Sequence, residues 1–239
     1  MNDADALADR VAAACLADAA AAATGAPGRR TALVQGVRCV VYGVAERWGA
    51  QAITFDEPRR DALDAATAWL AERAGASMVT TRARYAGHPA LAGRVPGAEL
   101  PALVLAEDQV SGERDTAGLE IGPAHDRAEY LSVFGAELAP LVTEADLADP
   151  YRTYLVGRRE GVPVAIAMVR RTGDAAQVGA VAVLPDHGGR GYGTAISAAA
   201  TRTAIRSGVK LVWLHSTPAS ERIYARLGYR VVDRHLQLV

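Results

Sequence analysis

The chain has 239 residues, half of them hydrophobic, and its 26 basic side chains stand against 27 acidic ones for a net charge of −1. That length suits one large domain or two small ones of roughly 100–150 residues, each able to bury a core. The charge balance excludes a chain built chiefly for nucleic acid, which carries a basic excess, and no run nears the ~18–20 apolar residues of a membrane span.

From the N-terminus, Ala4 to about Ala23 reads as an Ala-rich helix closed by Gly25-Ala26-Pro27. Asp3, Asp5 and Asp9 precede its apolar run and Asp18 interrupts it, which argues against a signal peptide with its basic start. The two cysteines, Cys15 and Cys39, make no Cys-x-x-Cys or Cys/His cluster, so no metal is expected and a reducing cytoplasm fits. Val37 to Val44 is a β-branched strand. Asp56-Glu57-Pro58 carries a capping residue and an opening proline for a helix with Leu63, Ala66 and Leu70 at helical spacing, ended near Gly75. Met78 to Thr81 and Ala102 to Ala106 are two further strands, with loop between them.

Residues 109–117 are polar, glycine-containing and aperiodic, and are expected to link an N-terminal α/β domain (1–108) to a C-terminal one (118–239). After Leu119 to Ile121, a strand, Asp126-x-x-Glu129 has capping-box character and opens a helix bearing Tyr130, Phe134 and Leu138, ended by Pro140. A short helix around Thr143 to Ala148 leads to a meander of Tyr151–Gly157, Val162–Arg170 and Ala176–Leu184, joined by tight turns at Glu160-Gly161 and Thr172-Gly173-Asp174. A glycine-rich loop (188–193), a helix from Thr194 to Ser207, a strand from Lys210 to His215, a helix from Ala219 to Leu227 and a strand from Tyr229 to Leu238 complete the chain. The pattern predicts an α/β (α+β) fold, a mixed and mostly antiparallel sheet flanked by helices. No internal repeat is clear enough to assert, although both halves mix strands and helices. Trp48, Trp69 and Trp213 read as core or sheet-covering residues.

The loop carries the chemistry. A buried-type strand ends at Pro185, glycines make the turn, and a helix follows at once, so backbone N–H groups with a helix dipole behind them can cradle a diphosphate. Gly189, Gly191 and Gly193 are spaced by two, which does not match G-x-G-x-x-G, and no Gly-Lys-Ser/Thr is present. Gly188-Gly189-Arg190-Gly191-Tyr192-Gly193 resembles the pyrophosphate loop Gln/Arg-x-x-Gly-x-Gly/Ala of the GNAT superfamily of N-acyltransferases, with Gly188 in place of the usual Arg or Gln. Ser220-Glu-Arg-Ile-Tyr-Ala-Arg-Leu-Gly-Tyr229 resembles that family's Ala-x-x-Leu-Tyr-x-x-x-Gly-Phe helix. The motifs cover 177–229 and the fold about 118–239. Residues 1–108 are similar to accessory regions ahead of some actinobacterial-type members, and the heavy use of arginine and alanine, with Lys210 the sole lysine, hints at a GC-rich bacterial genome.

The resemblance implies acetyl-CoA as co-substrate, lying where the strands Gln177–Leu184 and Lys210–His215 splay apart. Backbone groups of Val181, Ala182 and Val183 would hold its pantetheine arm, and the amides of Gly188, Gly189, Arg190, Gly191, Tyr192, Gly193 and Thr194 its pyrophosphate. Thr217 stands where many members place a coenzyme-contacting Asn. Tyr224 matches the family's common general acid. A carboxylate base is absent from the splayed strand. His215, whose unperturbed pKa is near ~6.5, is the base candidate ahead of His187 and Asp174, beside a water chain to solvent. Tyr130 and Phe134 fall where the family lines its acceptor pocket, with Glu137 one turn beyond. The acceptor implied is the amine of a small molecule or peptide. Lysine or N-terminal amines of proteins, and a non-catalytic acyl-CoA-binding role, are the rival readings. Membrane and nucleic-acid partners are not expected. The N-terminal domain is left three roles: completing the acceptor site, forming a homodimer interface, or being a degenerate copy of the fold.

Overall fold

The computed structural model describes residues 3–106, 110 and 118–239, apart from the side chain of Glu137. The expected linker 109–117 therefore lies, Val110 aside, outside the described residues. The chain forms two compact units, Met1–Ala102 with Ser216–Pro218 and Val231–Val239, and Leu103–His215 with Ala219–Arg230. The fold is mixed α/β with mostly antiparallel sheet and flanking helices, as the sequence pattern predicts.

In the first unit the elements are α1 (Asp3–Ala22), β1 (Arg30–Val34), β2 (Val37–Val41), β3 (Ala50–Ile53), α2 (Arg60–Ala74), β4 (Met78–Arg82) and the first part of β5 (Pro96–Leu105). Its sheet runs β1-β2-β3-β4 and continues to β11 (Tyr229–Leu238). β1, β2 and β3 are antiparallel, β4 is parallel to β3, and β11 is antiparallel to β4. Leu63, Ala66 and Leu70 of α2 are fully buried against Cys39, Ala52, Val79 and Leu238. That burial, and not propensity alone, holds a helix of this length.

Several elements depart from expectation. β1 and β3 are additional to the predicted strands: β1 opens on Arg-Thr and leaves Leu33 exposed, and β3 is only four residues long, so neither carries a periodic signal. β2 stops at Val41 instead of Val44, ahead of Gly43 in the left-handed region. α2 starts at Arg60, capped by Arg59 without a side-chain bond, so Asp56 does not cap it.

The second unit holds β6 (Leu119–Pro123), α3 (Arg127–Phe134), α4 (Glu144–Ala148), β7 (Arg152–Arg159), β8 (Val162–Thr172), β9 (Ala175–Val183), α5 (Tyr192–Arg206), β10 (Leu211–His215) and α6 (Glu221–Arg226). Its sheet order is β10-β9-β8-β7-β6, antiparallel except for β9 with β10. Asp126 caps α3 by accepting the Glu129 N–H at 2.8 Å, while the Glu129 carboxylate takes the His125 N–H at 2.7 Å. Gly135, at φ 102°, ends α3, which puts Leu138 in a separate 3-10 segment (Ala136–Leu141) rather than on α3. Thr143 and Asp146 form a reciprocal capping box at α4.

Side chains alternate across this sheet. Tyr154, Val156, Ile166 and Met168 face α3 and cluster with Tyr130. Thr153 and Leu155 face the other way, toward Ala195 and Ala198 of α5. The two helices therefore cover opposite faces, and β9 lies between them.

Candidate functional site

β9 and β10 are parallel neighbours only briefly. Leu211 stands opposite Ala175, Val212 opposite Ala176 and Trp213 opposite Gln177, and there the pairing ends. β9 runs on to Val183 and β10 to His215, so the backbone of β9 beyond Gln177 has a side that β10 does not occupy. An unpaired parallel edge presents N–H and C=O groups to whatever extended molecule lies beside it.

A bulge lies within that stretch. Met168 pairs with Gly179 but Ile166 with Ala182, which places one extra residue in β9. Ala180 takes it up at φ 49°, a conformation an L-residue adopts at a cost of about 1–3 kcal/mol. Ala180 and Ala182 then both lie against the Tyr130 cluster, with Phe134 in the same group. The Tyr130 ring meets Tyr154 edge-on at 5.0 Å and Phe134 at 5.5 Å. At the start of the stretch, Arg170 of β8 donates to the Gln177 side chain at 2.9 Å.

β9 passes into a 3-10 turn, Pro185–His187, and then the glycines. The Gly188 N–H donates to the Pro185 carbonyl at 3.0 Å, so the turn itself uses that amide. Gly189 at φ 73° and Gly191 at φ 84° occupy the left-handed region that a side chain strains. Gly191 is the N-cap of α5, which begins at Tyr192, two residues before the predicted Thr194. The first intrahelical bond runs from Ala195 N–H to Gly191 C=O, and helix geometry leaves the N–H groups of Tyr192, Gly193 and Thr194 without a partner inside α5. Their partial positive charge, with the dipole of a 15-residue helix behind it, suits a phosphate. Arg190 is exposed and touches the Asp186 carbonyl at 3.3 Å. The Tyr192 ring is buried, stacked with His187 at 6.4 Å. Val181 and Val183 point to the α5 side, where a Cβ on Gly193 would reach Val183 at 3.7 Å.

Tyr224 on α6 is 7% exposed, edge-on to Tyr229 at 5.9 Å. Tyr229 in turn shares a hydrogen bond of 2.9 Å with Thr201 of α5. Burial pushes the Tyr224 phenol above its ordinary pKa, and the hydroxyl of Ser197 works against that shift. Ser197 sits about one turn past Thr194, so Tyr224 and the glycine loop belong to the same end of α5. Ser197 and Thr201 escaped the sequence reading. Two hydroxyls four residues apart, fully buried in an alanine-rich helix, were their signal.

His215 closes β10, half-buried, its ring edge-on to Trp213 at 5.3 Å. Trp213 is 1% exposed, a core residue as expected. Thr217 is exposed and is grouped with the first unit.

Residues 123–229 match the family model of the acetyltransferase (GNAT) family. This stretch is a GNAT domain. A GCN5-related N-acetyltransferase from Kribbella flavida has a similar structure, with a TM-score of 0.73 and 20% identity, over 96% of this chain and 93% of that one. A GCN5-related N-acetyltransferase from Sphaerobacter thermophilus reaches a TM-score of 0.61 at 17% identity, over 84% and 79% of the two chains. A functionally unknown conserved protein from Staphylococcus epidermidis reaches 0.56 at 16% identity, over 84% and 89%. At such identities these likenesses establish the fold. No curated protein matches the sequence. Among the described residues no helix is long and apolar enough to cross a membrane.

Proposed function

We propose that the protein transfers an acetyl group from acetyl-CoA to the primary amine of a small molecule or peptide, with residues 118–239 carrying the chemistry and 1–108 as an accessory domain. The observation that carries this reading is the parting of β9 from β10 after Gln177, in a strand that leads directly into the glycine loop at the head of α5. The free edge at Val181, Ala182 and Val183 suits the amides of a pantetheine arm. The amides from Gly189 to Thr194 suit the diphosphate.

The amine nitrogen attacks the thioester carbonyl carbon, the tetrahedral intermediate collapses, and the carbon–sulfur bond breaks. Tyr224 donates a hydrogen bond to the departing sulfur. Its raised pKa keeps the phenol protonated, but a phenol is a weaker acid than a thiol of pKa ~8.5. It therefore acts by a hydrogen bond that strengthens as the bond to sulfur breaks; of the two protons the ammonium nitrogen loses, the one shed after attack ends on the sulfur and the other is shed before attack. That proton leaves through His215 or through water. The products are an acetamide and free coenzyme A.

A binding-only reading draws on the lack of a carboxylate between Gln177 and Leu184. Thiol release from acetyl-CoA, measured against a panel of amines, decides between them. Amine-dependent release is expected. Tight coenzyme binding with no turnover for any amine would leave a sensor instead of an enzyme.

A further inference from the structure

The two units share one succession of elements. β1 and β2 are joined by Gln35-Gly36, with both residues at positive φ (47° and 88°), between the paired Val34 and Val37. β7 and β8 are joined by Glu160-Gly161, again both positive (52° and 79°), between the paired Arg159 and Val162. Each is a two-residue hairpin turn of the mirror-image type, a polar residue followed by glycine. The third strand is antiparallel to the second in both units, β3 to β2 and β9 to β8. A helix of 15 residues follows in each, α2 and α5. Both helices end at a left-handed glycine, Gly75 and Gly208, three residues before the next strand, β4 or β10. That strand is parallel to the third, β4 to β3 and β10 to β9.

The copies differ where a coenzyme would sit. β9 and β10 separate after Gln177 and Trp213. β3 and β4 remain paired to the end of β3, Ile53 opposite Thr80, and the Thr54 N–H adds one more bond to the Thr80 carbonyl at 3.0 Å. β3 ends where its pairing with β4 ends, so it runs no free edge past β4 as β9 does past β10. With the helix caps Arg59 and Gly191 aligned, Glu57, Arg59 and Asp61 stand where the loop of the other unit has Gly189, Gly191 and Gly193. Asp61, in the first turn of α2, stands at the favourable end of its dipole, while the Glu57 carboxylate is paired with His88 at 3.3 Å. Asp61 is bound to Arg59 at 2.6 Å. Arg59, and then the Ala62 N–H, help hold its carboxyl below the usual range. The head of α2 thus carries an arginine–aspartate pair where α5 opens on glycines.

We infer that the first unit is a second copy of the acetyltransferase fold whose coenzyme site is closed, by zipped strands and by side chains where the loop of the second unit has glycines, so that the chain takes one coenzyme A. The inference rests on the proposed coenzyme site of the second unit. Calorimetry of the full chain with coenzyme A is expected to give one site, weakened at least about tenfold in Gly191→Val. Hydrogen exchange of the unmodified protein is expected to show slowing over 181–194 on adding coenzyme A and no change over 54–61. A second site, or slowing over 54–61, would overturn the closed copy and leave the acetyltransferase reading standing. No heat and no slowing anywhere would sink both.

Discussion

Arg158 of β7 grips Glu129 of α3 with two hydrogen bonds of 2.6 and 2.7 Å, and spends another on the Pro123 carbonyl of β6 at 3.0 Å. One guanidinium so ties a helix and two strands in a planar, bidentate geometry. The side chains are only 11% and 13% exposed. Arg158→Ala leaves a carboxylate largely out of water, and a loss of about 1–3 kcal/mol is expected in urea unfolding. Glu129→Gln in the same chain should recover part of it. Equal losses in the single and double variants would remove the pair from the account.

Acid should expose the same pair. Arg158 holds the Glu129 carboxyl below its ordinary value. A carboxyl depressed on folding contributes stability that is full above its unfolded pKa of ~4.3 and is lost as the pH falls through the lower folded value. In Glu129→Gln the steepness of acid unfolding should lessen in that window. Superimposable acid curves would contradict this.

Tyr224→Phe keeps the ring and its packing against Tyr229 but removes the proton. Turnover of acetyl-CoA is expected to fall by about 10²-fold or more, with little change in coenzyme affinity. Because burial raises the Tyr224 pKa, the alkaline limb of kcat in the unmodified enzyme should not begin below pH ~10 on its account. Unchanged turnover would assign the hydrogen bond to the sulfur to another group.

Gly191→Val places a β-branched side chain at φ 84°. The strain costs about 1–2 kcal/mol or more, and relief of it moves the amides at the head of α5. A coenzyme affinity at least about tenfold weaker is expected, roughly the loss of one charge-assisted hydrogen bond. Wild-type affinity in a folded variant would count against the phosphate cradle.

Cys39 is buried beneath α2, where desolvation outweighs nearby Arg38 and Arg73 and pushes its thiol up to about 11. The unfolded thiol ionises near ~8.5, so stability from this group is full below that value and declines as the pH rises toward 11. Iodoacetamide at pH 8 should leave the Cys39 peptide unlabelled until denaturant is added, as followed by mass spectrometry. Rapid labelling of the native protein would mean that β2 opens readily.

Sequence alone carried most of the second unit. Asp126 before an apolar helix, Glu160-Gly161 between alternating strands and Gly208 past a helix are local instructions, and the backbone obeys them within a few residues. The glycine loop was legible for the same reason: φ values of 73° and 84° at Gly189 and Gly191 demand that residue type. β1 and β3 were not legible, because a four- or five-residue strand has no period to detect and is fixed by its neighbours in the sheet. Nor was the succession of elements that the two units share, since it lies in turn geometry and strand pairing.

Residue order by itself determined where α3 is capped, where the hairpin turns of the second unit close and where glycines open α5, since each of these depends on a handful of adjacent dihedral angles. Only the tertiary structure decided that β9 leaves β10 at Gln177 while β3 stays with β4, and that Ser197 and Thr201 meet Tyr224 and Tyr229. Those relationships join residues far apart in the chain, and their energies come from burial and pairing that exist only once the sheets have formed.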